Sequence, residues 1–251
     1  VGSGQNGNIV RATAVGKYYA GIEGDDFWID ENKLQKQFDF LESHPEYSAV
    51  GHNLYYAKPD GEVIRKPVES TKNRSYNMND FLNKGVFIHG STLFRRNLFK
   101  NPDQKYIDLR KSIKTMGDVV NLAVYFDKGD IYFMGEPMLA HRLTDASDNA
   151  SFSQTSKTKL IKYTKLYFEI TDNLTKYFDG KYDFTNRAAY RLGSVYYCLL
   201  IKHKQYPVDK YELSELLSGL SFSFKFKGYR FMIRKIFSTI ARKARKLCSR
   251  T

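Results

Sequence analysis

Three carboxylates stand around one glycine near the start of the chain, in the run Glu23-Gly24-Asp25-Asp26. They follow a short strand-like stretch, residues 18–22, and a strand that ends in a turn delivers side chains to a fixed point. Carboxylates this close together repel one another unless a cation or a polyvalent partner lies among them. Hard divalent cations take carboxylate and phosphate oxygens together as ligands. The spacing therefore predicts a site for a cation or for another polyvalent partner.

A helix is predicted directly after this acidic turn. Its apolar residues Leu34, Phe38 and Leu41 recur at helical spacing. Asp30 is the predicted N-cap. Pro45 ends the helix because the residue before a proline is disfavoured in helical conformation. Strand, turn and helix together would hold the carboxylates in place.

A further carboxylate stands near the predicted start of a later helix, which covers residues 116–126. The dipole of a helix keeps a carboxylate at its N-terminus charged, and this one is Asp118. A charged carboxylate that faces a bound hydroxyl group can accept its proton. An ordinary residue of the first helical turn is the alternative interpretation.

The segment at residues 86–96 combines small and basic residues. Gly90 and Ser91 permit close approach of the backbone to a ligand, and Arg95 and Arg96 could neutralise phosphate. A buried strand with exposed arginines at its end explains the same pattern equally well, so both interpretations stay open.

The composition indicates an anionic partner. The 251 residues carry a net charge of +13, with a pI near 9.5, which favours membrane lipid, nucleic acid or a phosphorylated substrate. Cys198 and Cys248 lie far apart and are expected to be free thiols. No apolar run is long enough to predict a membrane-spanning helix.

Much of this charge is concentrated in residues 221–251, where no aspartate or glutamate occurs. We predict a basic amphipathic helix here, suited to an anionic membrane surface. A terminal helix packed on the core with a solvated basic face is the alternative. No recognised nucleic-acid motif accompanies the charge, so nucleic acid is not expected as a partner. The apolar positions of the predicted helix are Tyr229, Ile233, Ile236, Phe237, Ile240, Ala244 and Leu247.

The acidic turn and its helix resemble the family 2 glycosyltransferases, which use nucleotide sugars in bacterial polysaccharide assembly. In that family a central strand ends in a D-x-D-type motif, often EGDDYW or DGDDYW, and a helix containing KLQKQ and FL follows. This chain has Glu23-Gly24-Asp25-Asp26-Phe27-Trp28, then Lys33-Leu34-Gln35-Lys36-Gln37 and Phe40-Leu41. Residues 128–142 are similar to the family's G-K-I-x-Y-x-x-x-x-M-x-x-Y-R pattern, with His141-Arg142 in place of Tyr-Arg.

The resemblance implies the α/β fold called GT-A, a Rossmann-like mixed sheet flanked by helices, here with a C-terminal helical appendage. The expected domains are a catalytic domain at 1–150, a helical segment at 151–220 and the basic amphipathic helix at 221–251. The family opens with strands that hold the nucleotide, and we expect the chain to lack the N-terminal part of that nucleotide-binding half.

The resemblance also implies roles for individual residues. Glu23, Asp25 and His141 would hold Mg²⁺ or Mn²⁺, with His141 replacing a histidine of the family pattern, and Asp118 would be the catalytic base. Trp28 would wall the sugar or acceptor pocket, and core packing is its alternative role. The residues expected to contact donor or acceptor are Asp26, Trp28, Ser91, Arg95 and Arg142.

The implied activity is that of a metal-dependent inverting glycosyltransferase. It would move a sugar from a nucleotide-diphosphate donor to a saccharide or lipid-linked acceptor of cell-surface polysaccharide. The expected location is cytoplasmic, peripheral on the inner face of the cell membrane. The alternative is a non-catalytic fragment of such an enzyme that binds a sugar or a membrane.

Overall fold

The computed structural model describes residues 10, 13–98, 102–113, 116–143, 160–201 and 209–248, with side chains as far as residue 241. The chain divides into two compact units, Val1–Ser151 and Phe152–Thr251. The predicted boundary at residue 150 lies outside the described residues.

The first unit is built on a seven-stranded mixed sheet. Its strands are β1 (Tyr18–Ala20), β2 (Phe27–Trp28), β3 (Tyr47–Ala57), β4 (Val63–Ile64), β5 (Arg74–Tyr76), β6 (Phe94–Arg96) and β7 (Asp130–Arg142). The order is β1-β6-β3-β7-β2, with β4 beside β3 and β5 beside β7. The two long strands β3 and β7 pair in parallel at the centre, and the other pairs are antiparallel.

Helices flank this sheet. They are α1 (Lys33–Ser43), α2 (Met78–Asn83), α3 (Gln104–Ser112) and α4 (Gly117–Lys128), with a short 3-10 helix at Gly90–Thr92. Helix α1 contacts β3 and β6, and α4 contacts β3 and β7. The prediction of an α/β fold with a mixed sheet flanked by helices is therefore confirmed.

Close packing on strand β3 requires a glycine in its middle. A Cβ atom at Gly51 would lie 2.7 Å from Cγ2 of Ile88, which is closer than two carbon atoms can approach. Because Gly51 has no side chain, the segment that carries Ile88 and the 3-10 helix lies directly against the sheet. This contact fixes the position of a histidine, His89, that belongs to the site described below.

The buried face of α1 differs from the face that the apolar spacing predicts. Leu34 and Phe38 are 39 % and 41 % exposed, whereas the polar Lys33 and Gln37 are buried with Leu41. The predicted N-cap is wrong as well, because Asn32 occupies that position without a side-chain cap. The spacing of apolar residues does not reveal that an amide side chain is buried.

Gln37 is buried because it bonds α1 to the sheet. Its Nε2 donates to the carbonyl oxygens of Val50 and Thr92, each at 3.0 Å. Its Oε1 accepts from the ammonium group of Lys33 at 2.8 Å. A buried polar group that finds all its partners costs little, and this one joins helix α1, strand β3 and the 3-10 helix.

Lys33 carries a deeply buried charge in the first unit. Its Nζ lies 4.4 Å from the centroid of the Trp28 ring, and no carboxylate pairs with it among the described residues. Burial, together with the charge of Arg95, lowers the pKa of Lys33 from its usual 10.5 to about 8. The folded protein therefore holds this proton less tightly than the unfolded chain does.

This shift predicts how stability changes with pH. Between pH 8 and 10.5 the unfolded chain binds more protons at Lys33, so the free energy of unfolding rises with pH in that window. We expect the free energy of unfolding of the natural protein, measured relative to that of a Lys33→Met variant, to rise by about 3 kcal/mol between pH 8 and 10.5. Urea unfolding of both proteins at several pH values measures this difference. The contributions of the other titrating groups cancel because both proteins contain them. A difference that does not change with pH would contradict the buried charge.

The second unit is helical. Its helices are α5 (Leu160–Tyr177), α6 (Thr185–Ile201), α7 (Lys210–Ser218) and α8 (Phe222–Cys248). Helix α8 packs along α6, and a Cβ at Gly193 would lie 2.7 Å from the carbonyl oxygen of Gly228. The subdivision of this region at residue 220 stays a prediction. Among the described residues, no helix has the length and apolar character needed to cross a membrane. The buried core of the unit consists of Leu160, Ile161, Leu192, Val195, Tyr196 and Leu216.

Candidate metal centre and catalytic site

The acidic turn leads directly into the edge strand β2. The backbone N–H of Asp26 donates to the carbonyl of Glu23 at 3.1 Å, which closes the turn. Strand β2 then pairs with the end of β7, with Phe27 opposite Ala140. One step further along this antiparallel ladder, Asp26 meets His141. The Oδ1 atom of Asp26 accepts hydrogen bonds from His141 Nδ1 at 2.7 Å and from the backbone N–H of Arg142 at 3.3 Å.

The 3-10 helix brings a second histidine to the same place. His89 precedes this helix and caps it, because its Nδ1 accepts from the backbone N–H of Ser91 at 3.3 Å. The same nitrogen lies 3.9 Å from Oδ2 of Asp26, and the centroids of the His89 and His141 rings are 4.7 Å apart. Asp26, His89 and His141 thus offer ligand atoms that all lie within 4.8 Å of one another.

The chemistry of these three residues suits a metal ion. Asp26 is 8 % exposed, and its buried Oδ2 has no hydrogen-bond partner of regular geometry among the described residues. A buried carboxylate oxygen without a partner is costly, and a bound cation would supply the missing interaction. Two imidazoles with one carboxylate form a donor set that transition-metal ions favour, whereas Mg²⁺ prefers oxygen ligands.

The charges within the cluster are coupled. Burial raises the pKa of Asp26, but the hydrogen bond and the charge of His141 outweigh it, so the pKa lies below its usual value. The same hydrogen bond raises the pKa of His141. Burial and the charge of His141 lower the pKa of His89. These contacts therefore favour the charged forms of Asp26 and His141 and the neutral form of His89.

Glu23 lies beside the cluster with a partly exposed side chain. Its backbone N–H donates to Ser91 Oγ at 3.1 Å, and its Oε2 lies 4.0 Å from His89 Nε2. Its side chain is 53 % exposed. Partial burial, followed by the charges of Asp118, Asp26 and Asp25, raises the pKa of Glu23 to about 7. Glu23 can therefore carry or release a proton near neutral pH.

Asp118 reaches the cluster from the start of helix α4. Met116, which precedes the helix, has the left-handed conformation with φ of 55°, and Asp118 follows in the first turn. A Cβ at Gly90 would lie 3.0 Å from Asp118 Oδ1. Because residue 90 is a glycine, the carboxylate lies against the backbone between His89 and Ser91.

The structure thus brings several predicted residues to one place. The predicted residues that lie in or beside the candidate metal cluster are Glu23, Asp26, Ser91, Asp118 and His141. Asp25 contributes charge that raises the pKa of Glu23, but it does not belong to the group of candidate metal ligands found among the described residues. The predicted ligand set of Glu23, Asp25 and His141 shares only His141 with that group.

Three other predicted contact residues lie in packing contacts. The guanidinium of Arg95 is 4.8 Å from the Tyr19 ring centroid, and that of Arg142 is 5.7 Å from the Phe27 ring centroid. Trp28 is half-buried and lies under the ammonium of Lys33. Their contacts with a donor or acceptor stay predictions.

His89 is the member of the cluster that the sequence did not single out. It stands immediately before Gly90 and Ser91, whose small side chains suggest ligand approach, and this neighbourhood was the available signal. Its link to the acidic turn is a tertiary contact between segments far apart in the chain, so no local pattern could reveal it.

The chain is similar to mycobacterial proteins over part of its length. No protein-family model matches the chain. Over 96 residues the chain is 30 % identical to uncharacterized proteins of Mycobacterium bovis and Mycobacterium tuberculosis. The aligned part is 38 % of this chain and 28 % of each relative. The chain thus matches less than a third of the length of these relatives, and their descriptions state no activity.

Proposed function

We propose that the protein is a metal-dependent inverting glycosyltransferase with a GT-A-like catalytic unit. The observation that carries the proposal is the convergence of Asp26, His89 and His141 with the helix-start carboxylate of Asp118. Asp26 and His141 lie beside the paired ends of β2 and β7 in a mixed α/β sheet. The resemblance of the acidic turn and helix α1 to family 2 glycosyltransferases supports the same activity.

Asp26, His89 and His141 are the proposed metal ligands. Of the two ions that the sequence suggests, Mn²⁺ suits this mixture of nitrogen and oxygen donors better than Mg²⁺. When bound, the ion would neutralise negative charge on the diphosphate of the donor. Glu23 borders the same space and can position a sugar hydroxyl or a ligand of the ion.

Asp118 is the proposed general base. Its carboxylate accepts the proton of the acceptor hydroxyl, and that oxygen attacks the anomeric carbon of the donor sugar. The bond between this carbon and the diphosphate oxygen breaks, its electron pair stays with the departing nucleoside diphosphate, and the configuration inverts. The acceptor is proposed to be a saccharide or a lipid-linked saccharide of the cell surface, reached from the cytoplasmic side of the membrane.

The test is release of nucleoside diphosphate from a panel of UDP- and GDP-sugars, with saccharide acceptors, in Mn²⁺ and after EDTA treatment. We expect release that needs Mn²⁺ and increases with an acceptor. Binding of Mn²⁺ without turnover of any donor would contradict the proposal and favour a non-catalytic binding module. Turnover that EDTA does not affect would overturn the metal assignment.

A further inference from the structure

Helix α8 carries an apolar stripe that faces solvent. Six large apolar residues recur along it at steps of three and four, which places them within an arc of about 80° at 3.6 residues per turn. Each is between 46 % and 84 % exposed. At 1.5 Å per residue the row is about 27 Å long. The apolar stripe consists of Phe222, Phe226, Tyr229, Ile233, Phe237 and Ile240.

A different face of α8 holds it to the second unit. Gly228 is buried against α6, and Phe224 and Met232 pack on the core of the unit. The ring of Phe231 lies 5.6 Å from that of Tyr190. Tyr229, which stacks on Tyr196, belongs both to this contact and to the stripe. Helix α8 is therefore anchored mainly through this other face, and most of the stripe stays exposed.

Basic residues flank the stripe. Arg230 and Arg234 are exposed on one side, and Lys225 lies on the other. No aspartate or glutamate occurs in the helix. The sequence that follows the described side chains continues with Arg242, Lys243, Arg245 and Lys246.

We infer that α8 docks the protein on an anionic phospholipid bilayer, lying in the plane of the surface with the apolar stripe inserted at the headgroup level. The stripe offers apolar area to the acyl chains while arginine and lysine reach the headgroup phosphates. The inference concerns the second unit and does not depend on the chemistry proposed for the first.

Other occupants fit the surface less well. Two copies packed stripe to stripe would bring their basic flanks together, and like charges repel. Nucleic acid would contact the basic residues but would leave the apolar stripe in water, because phosphate contacts dominate its binding. A bilayer with anionic headgroups matches both features of the helix.

The test is co-sedimentation of the full chain with vesicles of phosphatidylcholine, with and without phosphatidylglycerol. We expect binding to the phosphatidylglycerol vesicles that is at least about tenfold tighter than to phosphatidylcholine alone. The stripe variant Phe226→Ser/Ile233→Ser/Phe237→Ser should lose at least about tenfold in partitioning. Circular dichroism confirms that this variant keeps its helices.

The matched control removes similarly exposed apolar side chains elsewhere in the same unit. Leu200, Ile201 and Tyr211 are 59 %, 51 % and 79 % exposed, and Leu200→Ser/Ile201→Ser/Tyr211→Ser should bind as the natural protein does. Equal loss in both variants would overturn the inference. So would absence of binding by the natural protein, or a dimer in lipid-free buffer that only the stripe variant abolishes.

A second measurement keeps the stripe intact. Phe237→Trp and Tyr211→Trp each add one indole to the same background, because Trp28 is the one tryptophan of the chain. Brominated lipids in phosphatidylglycerol vesicles should quench the added emission of Phe237→Trp and leave that of Tyr211→Trp unchanged. Quenching of neither variant, or of both equally, would contradict insertion of the stripe.

Discussion

An Asp118→Asn variant is expected to lose about a thousandfold in the rate of sugar transfer. The amide has nearly the shape of the carboxylate, so it fits against Gly90 as Asp118 does, but it cannot accept the proton of the acceptor hydroxyl. Since the candidate metal ligands are other residues, binding of Mn²⁺ and of the donor should remain. The measurement is kcat with donor and acceptor, together with calorimetric titration of Mn²⁺ and nucleoside diphosphate.

The control makes the same chemical change on an exposed surface. Asp39 lies exposed on helix α1, where it accepts a hydrogen bond from Gln35 at 2.7 Å, and Asp39→Asn should keep full activity. If Asp118→Asn transferred sugar at the natural rate, the base would have to be another group. Glu23, whose pKa is raised to about 7 by burial and the neighbouring carboxylates, would then be the first residue to replace.

The sequence predicted the elements around the site better than it predicted the site itself. The acidic turn lies between β1 and β2, helix α1 follows it, and Asp118 lies in the first turn of α4. These features depend on local rules: a turn after a strand, apolar residues at helical spacing, and an acidic residue at a helix start. Such rules concern residues that are close in the chain, so the order of the residues is enough to apply them.

The contacts between distant segments were not accessible to such rules. His89 joins Asp26 because Ile88 packs against Gly51 on strand β3. Gln37 is buried because two carbonyl oxygens from elsewhere in the chain accept hydrogen bonds from its amide. In both places the deciding partner comes from another strand or helix. Local spacing therefore identified the acidic turn but did not show which of its carboxylates faces inward.

The choice between Asp25 and Asp26 can be decided by substitution. The sequence assigned the metal to Glu23, Asp25 and His141, whereas the structure groups Asp26 with His89 and His141. His141 belongs to both sets and cannot separate them. If the second set is correct, Asp26→Asn should weaken binding of Mn²⁺ by about a hundredfold or more, since even residues that only support ligands contribute about ten- to a hundredfold.

Asp25→Asn is the matched control, because it makes the same change one residue away. It should alter the dissociation constant of Mn²⁺ by no more than about threefold, the effect expected of a partly exposed charge that is not a ligand. Calorimetry and the electron paramagnetic resonance spectrum of bound Mn²⁺ give both values. In Asp26→Asn the side-chain carbonyl can still accept from His141, so the turn should keep its fold. If Asp25→Asn lost Mn²⁺ binding and Asp26→Asn kept it, the ligands would instead be Glu23, Asp25 and His141.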